Sequence, residues 1–225
     1  MKLLSVRTAR SIWLFPLRDL NPHGRFLLPS IPRMVQRYGF AKAPEPQTLL
    51  AAPLTIRFEG GAFVGKDKVP RTVTLVLHDD GIVAEMRSST EDCDLFLEDA
   101  FSWLSDEYQL PRFNELTIKR IYLSEVTVQL ESAPEIFNES FSRFAASLQN
   151  GLGPHQPKPM FLTHLNFGAD PAGGAPQAML KIEREVGTQF DQNRYYSSAT
   201  VPTDEHITIL QKFEDAAINP RRHPK

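Results

Sequence analysis

Residues 71–108, RTVTLVLHDDGIVAEMRSSTEDCDLFLEDAFSWLSDEY, run without a gap through a strand, a tight turn, a second strand and a capped amphipathic helix. From Arg71 to His78 the chain alternates, placing Val73, Leu75 and Leu77 on one face. Asp79-Asp80-Gly81 is a hairpin signal, with the glycine expected to take a positive φ. Ile82 to Arg87 is the returning strand. Ser89 and Thr90 then offer hydroxyls to the orphan N–H groups of a helix, and Glu91 and Asp92 complement its positive end. Cys93, Phe96, Leu97, Ala100, Phe101, Leu104 and Tyr108 recur at three- and four-residue spacing, which makes one stripe to bury. Glu91, Asp94, Glu98, Asp99, Asp106 and Glu107 decorate the remainder, and read as a solvated acidic face.

Working outward, residues 5–15 form a strand ending at Pro16, and Ser30 caps a helix from Ile31 to Tyr38 that Gly39 stops. Leu54 to Val64 is a strand in which Gly60-Gly61 marks a bulge or a close backbone approach. On the other side, Leu116 to Glu131 reads as strand, broken near Ser124. Ser132-Ala133-Pro134-Glu135 opens a helix with Phe137, Phe141, Phe144, Ala145 and Leu148 on one face. Met160 to Phe167 and Ala178 to Val186 pair across a Gly/Pro-rich turn. Gln189 to Ser198 is polar and tyrosine-bearing, and Thr203 caps a last helix through Ile207, Leu210 and Phe213. No internal repeat is visible. Hairpins outnumber regular β-α-β alternation, so the expectation is an α+β class with a largely antiparallel sheet and helices mainly on one face. One domain is expected over 1–225, with a basic N-terminal arm (1–46) and a mobile basic tail (219–225).

Composition bounds the function. The 225 residues hold 41% hydrophobic and 23% charged side chains, enough for a core without metal or disulfide support. A single cysteine, Cys93, excludes an internal disulfide and any Cys-rich zinc site, and suits a reducing, cytoplasmic location. No run approaches the roughly 20 apolar residues of a membrane span. The basic start, free of acid until Asp19, has the charge of a mitochondrial transit peptide, but its Pro-rich continuation does not. Residues 1–46 carry eight Lys/Arg against two acids, a net +6; residues 47–150 carry nine against seventeen, a net −8. Such halves attract each other within one molecule or between two.

Few side chains are spaced for chemistry. His78-Asp79-Asp80 is the tightest metal-competent cluster, but neighbouring strand residues point to opposite faces and the turn accounts for the acids. No phosphate loop, dinucleotide fingerprint or nucleophile elbow occurs. No catalytic residue, metal ligand or cofactor is therefore assigned. The polar set best suited to binding is Arg184, Arg194, Tyr195 and Tyr196, since arginine with paired tyrosines binds phosphate, stacks on bases or makes a protein hot spot. Its structural reading is an edge strand with a tyrosine-anchored loop. Arg7 and Arg10 lead the basic arm and add a charge-docking surface. The expected function is a non-catalytic interaction or structural protein, an accessory subunit of a cytoplasmic assembly that docks a protein partner or a second copy by complementary charge. Two alternatives stand beside it. One is a hydrolase or nuclease assembled from His78, Asp80, His164 and Glu183. The other is a nucleic-acid-binding module using the Arg-rich N-terminus, which the acidic middle region disfavours.

Overall fold

In the computed structural model, residues 1–20, 27–44, 55–65, 67–134, 139–152, 161–168 and 179–218 are described. The strands are β1 (Lys2–Leu14), β2 (Thr55–Val64), β3 (Pro70–His78), β4 (Gly81–Met86), β5 (Lys119–Gln129), β6 (His164–Phe167), β7 (Leu180–Arg184) and β8 (Arg194–Ala199). The helices are α1 (Leu27–Tyr38), α2 (Thr90–Tyr108), α3 (Glu139–Leu152) and α4 (Thr203–Ile218). The strands form one antiparallel sheet in the order β2-β3-β4-β1-β5-β8-β7-β6, and the class is α+β. No described helix is long and apolar enough to cross a membrane.

The chain divides into two compact units: Val6–Ser124 with Thr200–Thr203, and Met1–Ser5, Glu125–Ala199 and Asp204–Lys225. In the first unit, α2 lays its stripe on the inward residues of β1, β3 and β4. Trp13, Phe58, Phe96, Phe101 and Leu97 are at most 2% exposed there. Trp13 stacks on Phe101 with centroids 5.5 Å apart. Ser89 is the N-cap and accepts the Asp92 N–H at 3.1 Å. The described part of the basic arm is packed: β1 is an interior strand, and α1 ends at Gly39 with φ +62°. That helix starts earlier than its sequence suggests, so Ser30 lies inside it, buried, instead of capping it.

Two glycines are fixed by space. The ladder between β2 and β3 shifts register between Phe58 and Gly61, and a Cβ on Gly61 would sit 2.4 Å from the buried Phe40 ring. Gly81 pairs with Leu14, and a Cβ there would sit 2.4 Å from the Trp13 carbonyl oxygen. Its φ is not positive, so close approach to β1, and not turn conformation, requires glycine. The turn is held from outside, because Phe15 and Leu17 donate their N–H groups to the carbonyls of Asp80 and Asp79. Gly81→Ala is expected to cost about 1–3 kcal/mol, since backbone and not a flexible side chain must give way. Urea unfolding checks it; a cost within 0.5 kcal/mol of zero contradicts the close-approach account.

β5 runs from the first unit into the second and is unbroken through Ser124, which is fully buried. The polar segment before Thr203 contains β8, an interior strand between β5 and β7. Its inward positions are Tyr195, Ser197 and Ala199, which gave no apolar alternation to read. The expected strand from Met160 is regular only over 164–167. Phe137, the 170–176 turn and the tail 219–225 lie outside the described residues.

Element order now shows what residue identity hides. β1-α1-β2-β3-β4-α2 is followed by β5-α3-β6-β7-β8-α4, and the strand order reads symmetrically from either edge. β4-α2 and β8-α4 correspond at a constant offset, placing Thr90 against Thr203, Cys93 against His206, Phe96 against Ile209, Asp99 against Lys212 and Ala100 against Phe213. Thr90/Thr203, Cys93/His206, Leu97/Leu210 and Phe101/Glu214 are buried in both, whereas Ile209 and Phe213 are half-buried where Phe96 and Ala100 are buried. The corresponding threonines also exchange hydrogen bonds: Thr90 N–H donates to Thr203 Oγ1 at 3.0 Å and Thr203 N–H to Thr90 Oγ1 at 2.7 Å.

Candidate functional site

The Arg184 set divides in two. Arg184 ends β7 directly opposite Tyr195 on β8, so the register brings them together. Its guanidinium lies 5.1 Å over the Tyr195 ring and 4.5 Å over the Phe190 ring. Phe161 stacks on Phe190 at 4.3 Å. Arg184 donates to the carbonyls of Phe190 (3.0 Å) and Leu162 (3.3 Å). These bonds pin the connection from β7 to β8 and the segment leading into β6, so the side chain acts as a staple between strands and loop. Tyr195 is buried, at 2% exposure. Tyr196 lies one residue on and therefore faces the other side of the sheet, opposite Glu183. Arg194 is exposed at the start of β8. The set lies on interior strands and not on an edge, and its two halves serve opposite faces.

Arg10 and Arg7 both lie on β1. Arg10 is held by Glu85 at 2.6 Å. Three more cations of the arm are paired within the chain: Arg33 with Glu107, Arg37 with Asp99 (3.1 Å) and Lys42 with Glu59 (2.9 Å). Four of the arm's eight Lys/Arg are thus paired with acids of the middle region of the same molecule.

Of the hydrolase quartet, the β6–β7 register places His164 opposite Glu183. Glu183 is paired with Lys181 at 2.5 Å. His78 and Asp80 belong to the other unit. There His78 Nδ1 lies 3.5 Å from Thr55 Oγ1, and Asp80 forms the hairpin turn. Among the described residues, no three His, Cys, Asp or Glu side chains gather as metal ligands would. Cys93 is fully buried with its Sγ donating to the Ala9 carbonyl, and burial pushes its thiol pKa upward, away from the reactive thiolate.

The acidic face of α2 is engaged in part by the chain itself, while Asp106 stays at the surface. Asp92 binds Arg71 at 2.6 Å, and Asp99 accepts from Arg37 and from the Tyr38 hydroxyl at 2.7 Å. Burial, then the Asp99 carboxylate, raises the Tyr38 pKa. Asp94 is the most connected group described. Its Oδ1 accepts from Trp13 Nε1 (2.8 Å) and Ser11 Oγ, and its Oδ2 from the Tyr122 hydroxyl (2.9 Å) and Arg120 (3.5 Å). Arg120 also reaches Glu98 and lies 4.4 Å over the Trp13 ring. A carboxylate so fully engaged fastens β1 and β5 to the helix; it has no lone pair left for general-base work. Beside this unit's strands, Arg71, Thr72, Thr74, Glu85, Arg87 and Ser88 line a cleft of about 490 Å³. Arg71 and Glu85 are already committed there to Asp92 and Arg10.

Sequence reading missed the uneven distribution of exposed apolar groups. Of twelve large hydrophobic side chains exposed among the described residues, ten belong to the second unit; the exceptions are Val64 and Val69. Phe141, Phe144, Phe161, Phe167 and Phe190 account for half of the ten. The sequence matches no known family model, and no curated protein matches it significantly.

Proposed function

We propose that this chain is a non-catalytic interaction protein, an accessory subunit whose second unit docks a protein partner or another copy through apolar side chains. The gathering of ten exposed hydrophobics on one unit carries this reading, because such surfaces mark association sites more than isolated exposed residues do. Complementary charge retains a role inside the chain, where it ties the basic arm to the acidic helix. A single cysteine, buried, suits a reducing cytoplasmic setting.

Size-exclusion chromatography with light scattering, at low and high salt, tests this. The expected result is association that grows with protein concentration and persists or strengthens with salt, since apolar burial is not screened. Association that dissolves with salt returns the contact to charge. A monomer at every concentration and both salts removes self-association.

A further inference from the structure

The repeated topology tells what a helix in the position of α3 does. In the first unit that position is held by α1, which is seated on α2 and the edge strand β2. Tyr38 meets Phe96 edge-on at 5.0 Å and hydrogen-bonds Asp99, Arg33 pairs with Glu107, and Phe40, just past the helix, covers Phe58 at 5.1 Å. Met34 and Tyr38 are buried as a result. In the second unit α3 comes between β5 and β6, as α1 does between β1 and β2. Its apolar stripe is at water: Phe141 is 43% exposed, Phe144 63% and Leu148 39%. The matching ledge is uncovered too. Phe167 of β6 is 49% exposed, and it meets a half-buried Phe213 of α4 at 6.4 Å, beside a half-buried Ile209. Ile209 corresponds to Phe96, the residue that α1 covers.

We infer that α3 is a strap that closes over the ledge of β6 and α4 in its own unit, burying Phe141, Phe144 and Leu148 against Ile209, Phe213 and Phe167. Stripe and ledge are apolar, belong to one compact unit and are tethered in one chain. Closure is therefore favoured over capture of a separate molecule by an effective concentration on the order of millimolar. A partner docking on this ledge gains it by displacing α3. The inference goes beyond the proposed function, and it stands or falls on contacts within one chain.

Cysteine pairs in the intact 225-residue chain read it directly, because its one native thiol is buried. Under mild oxidation Phe144→Cys with Ile209→Cys is expected to form an intrachain disulfide at least tenfold faster than Ala146→Cys with Ile209→Cys, which starts from the opposite side of α3. Equal rates, or disulfides only between chains, overturn the strap. Hydrogen exchange gives an independent reading: Phe144→Asp with Leu148→Asp is expected to speed exchange at residues 207–213 at least threefold. Unchanged exchange there also overturns it.

Discussion

Asp94→Ala is expected to lower stability by about 3 kcal/mol, and the melting temperature by about 6–12 °C. The carboxylate is 17% exposed and satisfies four donors at once: the Ser11 hydroxyl, the Trp13 indole, the Tyr122 hydroxyl and the Arg120 guanidinium. Removing it leaves the indole N–H of a fully buried tryptophan without its acceptor. It also leaves Arg120, stacked on that ring, without its nearest buried carboxylate and with the half-exposed Glu98 as its remaining acidic partner. Unsatisfied donors in such a setting cost far more than the pair gains over water. Asp94→Asn keeps one acceptor oxygen and is expected to lose about half as much. Glu98→Ala is expected to cost under about 1 kcal/mol, because its pair with Arg120 is at the surface. Urea unfolding of the three variants separates the cases. If Asp94→Ala is no worse than Glu98→Ala, the hub is ornamental and α2 is held by its apolar stripe alone.

The same residue shows where sequence reading stops. The stripe from Cys93 to Leu104 and the hairpin before it were legible because their signals are local: alternation, three- and four-residue spacing and a capping serine. The strand at Arg194–Ala199 was not, because its inward positions hold tyrosine, serine and alanine, so burial leaves no alternation of hydrophobicity. The acids of α2 looked solvated because their partners lie far along the chain, at Arg37, Arg71 and Arg120. Charge totals for the arm and the middle region did anticipate an attraction, and the structure places four such pairs inside one chain. The repeat escaped for a similar reason. Its two halves share burial and element order while Cys93 answers to His206 and Asp99 to Lys212, so the identities kept at Thr90/Thr203 and Leu97/Leu210 are too few to show it. In the candidate site, the pairing of Arg184 with Tyr195 and of His164 with Glu183 needs strand register, which residue types alone do not supply.

Between pH 6.5 and about 4 the protein is expected to lose about 3 kcal/mol of stability through His206 alone. This imidazole is fully buried on α4, and burial depresses its pKa from 6.5 to about 4. Its Nε2 lies 2.9 Å from Ser197 Oγ, whose own proton is donated to the Lys181 carbonyl at 2.8 Å. The serine therefore accepts from Nε2–H, which fixes the tautomer of the neutral ring, while burial is what keeps the ring neutral. The sign follows from the depressed value. Above pH 6.5 both folded and unfolded chains carry a neutral ring, and the full contribution is present. As pH falls below 6.5 the unfolded chain takes up a proton that the folded chain refuses, so unfolding gains. The loss levels off near pH 4, where the folded ring protonates as well. His206→Gln keeps a donor for Ser197 but has no titration in this range. Its stability is expected to change less between pH 7 and 4, by about 3 kcal/mol relative to the parent, while near pH 7 the two differ much less. Guanidinium unfolding at half-unit pH intervals measures both curves. Parallel curves would mean that the ring already titrates near its unfolded value.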